Sequence, residues 1–458
     1  MTLPYAARMT AKRKTAAAET SGRPPSLARK KTMRGIFYLF MPSHDRRLPQ
    51  MPGISYSMEP AMGEKHDCYE ILLNYNCNAR CSFCSQGSFD KSANAKFPDV
   101  AKEIYLGKKK GYARLGLSGG EPLLRKDLCK IISVGRAVGF RFIRLQTNGI
   151  LLADKGLCRA LAASGLTFCK FTFASHKAAV HDALIGRPGA WRRAMAGLAQ
   201  LRELKIGLGV NILLNRRNYR SLERTVRFFL DQGVSNFVVI FPLYEGNMRE
   251  NAADIGVKLG QASPFILKTL RMMQKAGLPQ EMKILNVPPC FLKGHERQAM
   301  DLYRFNTVVT EPSGRKWNLD DETHGNRVHG PPCRACALGS RCQGPDANYV
   351  SIWGWSGFRP VRRTKSKPDR DARTAPIGYL TDNEKCLMEI LRQASNIPTQ
   401  TVLERAKAIP FCQDCKDGNA VLNAAQRLTT AGWVEKRFSR GKFYWSLTTK
   451  HGSAPSHL

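Results

Sequence analysis

Acidic residues are scarce in this chain of 458 residues: 36 Asp and Glu stand against 72 Lys and Arg, a formal net charge of +36. A balance this lopsided is extreme for a metabolic enzyme of this size and points toward a polyanionic partner. Long hydrophobic runs are missing too. The early apolar stretch, Gly35-Ile-Phe-Tyr-Leu-Phe40, is far too short to span a bilayer, and no signal-type region precedes it. A cytoplasmic location with no membrane partner is therefore expected. Cysteine is not scarce, at 14 residues, yet seven fall into two close sets and the others are scattered. That distribution argues for a reducing compartment and against a disulfide framework.

The first set is Cys77, Cys81 and Cys84, in a C-x3-C-x2-C loop. Closely spaced thiolates on one loop bind three corners of a [4Fe-4S] cube at small closure cost and leave one iron open for another ligand. Zinc with a distant fourth ligand, or three buried structural cysteines, are the alternatives that spacing leaves open. Just before the loop, Cys68 to Tyr75 reads as a buried strand, which puts the cysteines at its C-terminal end, where βα-barrel sites lie. About thirty residues on, Leu115-Gly-Leu-Ser-Gly-Gly-Glu-Pro-Leu-Leu124 reads as a second strand, a glycine turn and a helix entry at Pro122.

The three cysteines and the Gly-Gly-Glu-Pro element together resemble the radical SAM superfamily. The resemblance implies an α/β fold built on a partial (βα)6 TIM-type barrel, a [4Fe-4S] cluster on Cys77, Cys81 and Cys84, and S-adenosylmethionine chelated to the open iron. It assigns Gly119, Gly120 and Glu121 to the amino group of that cofactor, and paired glycines do let backbone approach a ligand closely. It extends through Leu145-Gln-Thr-Asn-Gly149 and Lys170-Phe-Thr-Phe-Ala-Ser175, carrying Thr147, Asn148 and Ser175 as polar cofactor contacts at strand ends. His176 stands where many members have Asp. Asn211, in the strand Ile206 to Leu213, matches an adenosine-facing position, with a strand-end cap as its plain alternative.

Six strand and helix units are countable from Cys68 to Pro242, and the barrel is expected over residues 64–250. A Cys-rich extension over 251–358 carries the second set: Cys290, Cys333, Cys336 and Cys342. Four thiolates complete a tetrahedral site, and spacing alone admits zinc or a fully ligated [4Fe-4S] cluster. In this context the layout resembles the auxiliary-cluster extensions of peptide-modifying members, which favours a second cluster over zinc.

Residues 1–60 read as a basic arm, its first 50 residues holding eleven Lys or Arg against two Asp or Glu, and 359–376 as a solvated linker. Residues 377–450 resemble a small winged helix-turn-helix. Helical patterns cover Asp382–Gln393, Thr399–Ala408 and Asn419–Ala431, followed by a hairpin around Ser439-Arg440-Gly441. Asn419, Asn423, Gln426 and Arg427 would face a groove, and Lys436, Arg437, Arg440 and Lys442 would meet phosphates, with a protein or peptide contact equally open. Cys412 and Cys415, with only Cys386 near in sequence, form a weak metal pattern.

The expected activity, by resemblance, is reductive cleavage of S-adenosylmethionine to a 5′-deoxyadenosyl radical that abstracts hydrogen from a peptide or protein. Modification of RNA or DNA is the alternative, and an iron-sulfur redox-sensing DNA-binding regulator without catalysis is a third reading. An electron donor such as flavodoxin or ferredoxin is implied. No residue stands out as a catalytic acid or base.

Overall fold

The structure, a computed structural model, describes residues 68–302, 306–320, 326–339, 341–362, 382–408, 418–430, 432–439 and 441–448. The basic arm at 1–60, most of the linker at 359–376, Cys412, Cys415 and Arg440 lie outside the described residues, as do the side chains of Asn419 and Asn423.

Strand β1 (Cys68–Leu72) is followed by α1 (Phe97–Lys109), β2 (Arg114–Ser118), α2 (Leu128–Ala137), β3 (Phe142–Thr147) and α3 (Lys155–Ala163). Then come β4 (Phe168–Thr172), α4 (Ala178–Ile185), α5 (Ala190–Glu203), β5 (Gly207–Leu213), α6 (Leu222–Asp231) and β6 (Asn236–Ile240). Each strand lies parallel to the next, because a helical crossover returns the chain to the same end of the sheet. All six strand-end loops that follow therefore gather at one face.

The sheet is wider than six strands. Beyond β6, the chain forms α7 (Gly246–Glu250), α8 (Ala252–Ile255), α9 (Leu259–Lys275) and a seventh parallel strand, β7 (Met282–Leu285). It then reappears at the opposite edge, where β8 (Thr307–Thr310) pairs parallel to β1 and β9 (Lys316–Asn318) pairs antiparallel to β8. The order is β7-β6-β5-β4-β3-β2-β1-β8-β9. The segment expected as a Cys-rich extension thus supplies three short strands to the two sheet edges before α10 (Ala347–Trp353).

Alternation along the strands separates two environments. Tyr69, Ile71, Leu115, Leu117, Ile143, Leu145, Phe171, Val210 and Phe237 join one buried apolar cluster with helical residues such as Ile104, Ile132, Leu198 and Phe229. The opposite face is polar for a buried layer: Glu70, Lys170, Asn211 and Asn236 are all less than 9% exposed. Arg144 of β3 pairs with Glu70 of β1 there. Gly116 lies between them in register, and a Cβ on it would overlap the Glu70 carboxylate, so this strand position has room only for hydrogen.

A separate core forms from α11 (Asp382–Gln393), β10 (Ile397–Pro398), α12 (Thr399–Ala408), α13 (Gly418–Thr430), β11 (Val434–Ser439) and β12 (Lys442–Leu447). Leu387, Ile390 and Leu391 of α11 meet Val402, Val421, Leu428 and Trp445. The three strands form an antiparallel sheet in the order β10-β12-β11, and Ser439 pairs with Lys442 at the hairpin end. Arg427 donates to the fully buried Glu384 at 3.2 Å, so its guanidinium is committed to the domain's own interior. The strand face bearing Phe438 and Phe443 is open instead: these rings are 64% and 43% exposed, 5.0 Å apart, with the Lys436 ammonium 3.9 Å from the centre of Phe443.

Candidate functional site at the C-terminal ends of the strands

The loop that leaves β1 carries Cys77, Cys81 and Cys84, and neighbouring strand ends hold it by its backbone. From the turn after β2, Gly120 N–H donates to the carbonyl of Asn74 at 2.7 Å and Glu121 N–H to that of Asn76 at 2.8 Å. A Cβ on Gly119 would overlap the Asn74 carbonyl, and one on Gly120 the Asn76 carbonyl. Gly119 also has φ 129°, a conformation that disfavours any side chain. The glycine pair is thus required by the close packing of two loops, whatever else it meets.

At the end of α4, the carbonyls of Ile185 and Leu184 accept from the loop's Arg80 and Ser82 N–H groups, at 3.0 and 2.9 Å. Just beyond that helix, the Arg187 guanidinium donates to the Asn78 carbonyl at 2.7 Å. From α7, the Asn247 amide donates to the Cys81 carbonyl at 2.9 Å, and just past its end the Asn251 amide donates to the Ser82 carbonyl at 3.1 Å. Asn247 and Asn251 had no place in the sequence reading. Their i, i+4 spacing directly after a strand end is the signal that marks them, since it sets both amides on one helix face.

The polar residues carried over by resemblance divide into distinct roles. Glu121 is fully buried, and its carboxylate accepts from Thr147 Oγ1 at 2.6 Å, Asn148 N at 2.8 Å and Leu123 N at 3.1 Å. Burial raises its pKa above the ordinary carboxylate value, against the pull of those three donors. Thr147 is spent on Glu121 and on the N–H of Gly149. Glu121 and Thr147 therefore tie the β2 and β3 ends together. Asn148 turns its amide toward the loop itself, 2.7 Å from Asn78 Oδ1 and 3.8 Å from Cys77 Sγ. Ser175 is buried, and its hydroxyl accepts from Lys177 N at 3.1 Å. Asn211 lies on the polar face of β5, beside Thr172 of β4, and its side-chain amide has no protein partner among the described residues. His176 meets the Thr225 hydroxyl at 2.9 Å, on the helical side of the fold.

The second cysteine set also comes together. Cys290 sits in a one-turn segment after β7, and Cys333, Cys336 and Cys342 lie on the loop before α10. All four line one small hollow of about 30 Å³, walled by apolar residues such as Pro289, Pro332, Leu338 and Phe358. Desolvation pushes the Cys290 thiol up to about 12 and Cys342 to about 11, and it raises Cys77 and Cys81 in the first set. A metal bound there would have to draw the protons off these thiols, as ligation does. Among the described residues, no three His, Cys, Asp or Glu side chains converge closely enough to surround one metal ion. A cube relaxes that requirement, because each thiolate takes its own corner.

The family comparison falls on the part of the chain that carries the three-cysteine loop. Residues 71–229 match the Radical SAM superfamily. The chain is 28% identical over 181 residues to the AdoMet-dependent heme synthase of Methanosarcina barkeri, covering 39% of this chain and 51% of that protein. It is 28% identical over 184 residues to a probable GTP 3′,8-cyclase of Sulfurisphaera tokodaii, covering 39% and 56%. The chain thus spans about half the length of these curated relatives. Among solved structures, Streptococcus suis SuiB bound to S-adenosylmethionine aligns with a TM-score of 0.49 at 14% identity, over 65% of this chain and 76% of that one. The matched span holds all three loop cysteines, the Gly-Gly-Glu-Pro turn and the strand ends that grip them, so residues 71–229 form a domain similar to the Radical SAM superfamily.

Proposed function

We propose that this chain is an enzyme that cleaves S-adenosylmethionine reductively and directs the resulting radical at a hydrogen atom of a peptide or protein. The observation that carries the reading is the double hydrogen bond of Gly120 and Glu121 to Asn74 and Asn76, which sets the glycine turn against the three-cysteine loop. When bound, a [4Fe-4S] cluster and S-adenosylmethionine would supply a 5′-deoxyadenosyl radical by one-electron reduction, with methionine as the other product. Cys77, Cys81 and Cys84 would each hold one iron, leaving the fourth to the cofactor's amino and carboxylate groups. Gly119 and Gly120 offer backbone carbonyls free of side chains, and the uncommitted amide of Asn211 is available to an adenosine ring. The Glu70–Arg144 pair closes the polar interior below, which keeps bulk water from the strand ends.

Cys290, Cys333, Cys336 and Cys342 would hold a second [4Fe-4S] cluster. The likeness of this layout to the auxiliary-cluster extensions of peptide-modifying members supports this choice over zinc, which the spacing alone also admits. An auxiliary cluster after the barrel is the feature that favours a peptide or protein substrate. A flavodoxin or ferredoxin would donate the electron.

A second reading, modification of RNA or DNA, rests on the exposed Phe438 and Phe443 beside Lys436, Arg437 and Lys442. Aromatic faces among cations stack bases and meet phosphates. The decisive experiment is 5′-deoxyadenosine release by anaerobically reconstituted protein with dithionite and S-adenosylmethionine. Release above that of a Cys77→Ala/Cys81→Ala/Cys84→Ala variant supports the proposal; release equal to that variant, at full iron content, removes it.

A further inference from the structure

The three loop thiols are not equivalent. The Asn148 amide nitrogen lies 3.8 Å from Cys77 Sγ, and the backbone N–H of Ala79 is directed at the same sulfur. Among the described residues no side-chain donor faces the sulfur of Cys81 or Cys84. Asn148 is also held from every side. Its backbone N–H donates to Glu121 Oε2 at 2.8 Å, its Oδ1 accepts from Ile150 N at 3.0 Å, and its Nδ2 donates to Asn78 Oδ1 at 2.7 Å. An amide nitrogen carries two hydrogens, enough for both Asn78 and Cys77. A side chain fixed by Ile150 and Asn78, on a backbone tied to Glu121, delivers a hydrogen bond that needs no rearrangement when the cluster forms.

We propose that Asn148 is a positioning residue of the three-cysteine cluster, donating to the Cys77 thiolate and raising the cluster's reduction potential, and that it does not contact S-adenosylmethionine. The inference rests on the reading above that this loop holds a [4Fe-4S] cluster. One electron from an external low-potential donor takes such a cluster from its 2+ to its 1+ level. The added negative charge spreads onto the sulfurs, and an N–H donor there stabilises the reduced form more than the oxidised one. Removing the donor makes reduction harder.

The test is a dithionite titration of the full chain, reconstituted anaerobically with iron and sulfide and followed by electron paramagnetic resonance without S-adenosylmethionine. A second-set variant, Cys333→Ser/Cys336→Ser, serves as the common background, so that only one cluster is read. Asn148→Ala is expected to move the midpoint to more negative potential at unchanged cluster content. Asn148→Asp keeps the acceptor for Ile150 and loses the donor, so it moves the same way and covers the case in which the alanine variant fails to hold iron. Thr147→Val, which breaks a neighbouring bond to Glu121 without touching sulfur, leaves the midpoint in place. Midpoints equal to the unsubstituted one in both Asn148 variants, or an equal shift in Thr147→Val, overturn the proposal. Absence of any [4Fe-4S] signal without an Asn148 change overturns the cluster reading itself, an outcome distinguishable because it needs no Asn148 variant.

Discussion

Asn247 donates its backbone N–H to the carbonyl of Cys84 at 3.0 Å, so the helix that follows β6 closes on the loop that β1 delivers. Its side-chain amide takes the Cys81 carbonyl as well, which makes this one residue a clasp across two cysteines. Asn247→Ala removes the second bond and is expected to lower stability by about 1–2 kcal/mol and to reduce iron retention. Thermal melting and iron analysis after reconstitution check both.

Gly120→Ala forces a methyl group onto the Asn76 carbonyl. Separation of the two loops is the expected result, at a cost of roughly 1–3 kcal/mol and with loss of 5′-deoxyadenosine release. A variant that melts like the native chain and cleaves at the native rate would remove the packing argument.

His181 is 1% exposed, accepts from Ala174 N at 3.2 Å and packs on Phe173, and burial lowers its pKa to about 4. A depressed value means that the unfolded chain takes up the proton first. The stability linked to His181 is complete above about pH 6.5 and is lost as pH falls toward 4, by on the order of 3 kcal/mol. His181→Gln keeps an acceptor for Ala174 and is expected to flatten the fall in melting temperature between pH 7 and 4.

If the second cysteine set holds a cluster, fully reconstituted protein carries about eight irons and Cys333→Ser/Cys336→Ser about four, with no zinc. Elemental analysis separates this from a zinc site, which would leave about four irons in both.

Phe438→Ala/Phe443→Ala removes the exposed ring pair from the terminal hairpin. Should that face bind single-stranded nucleic acid, affinity falls at least roughly tenfold and the salt dependence is kept, because the lysines and arginines remain. Unchanged affinity for an oligonucleotide would return the hairpin to a protein-contact role.

The parts of the fold legible in the sequence were those with a period. Runs such as Phe-Ile-Arg-Leu-Gln-Thr in β3 and the amphipathic α11, where Leu387, Ile390 and Leu391 are buried, reveal themselves by spacing. The strands β7, β8 and β9 do not: at three or four residues each, they are recruited by the exposed edges of longer strands. In the site, the cysteines stood out by their spacing, and the structure gathers Cys290 with Cys333, Cys336 and Cys342. The division of labour among Glu121, Thr147 and Asn148 was not legible, since a strand-end polar residue meets a ligand or its neighbour according to a side-chain direction that only the folded chain sets. Arg427 teaches the same point, being nominated for a groove and found on Glu384.

The second cysteine set has an unusual path. Cys290 follows β7 at one edge of the sheet; the chain then travels to the other edge to lay down β8 and β9, and only afterwards brings Cys333, Cys336 and Cys342 back beside Cys290. A metal centre there can close only once both margins of the sheet are in place, and β8 is the strand that flanks β1, the root of the first cysteine loop. If that set is loaded with metal, loading would act as a checkpoint on assembly: it would lock the long excursion shut and hold the flank of the strand from which the first cysteine loop leaves.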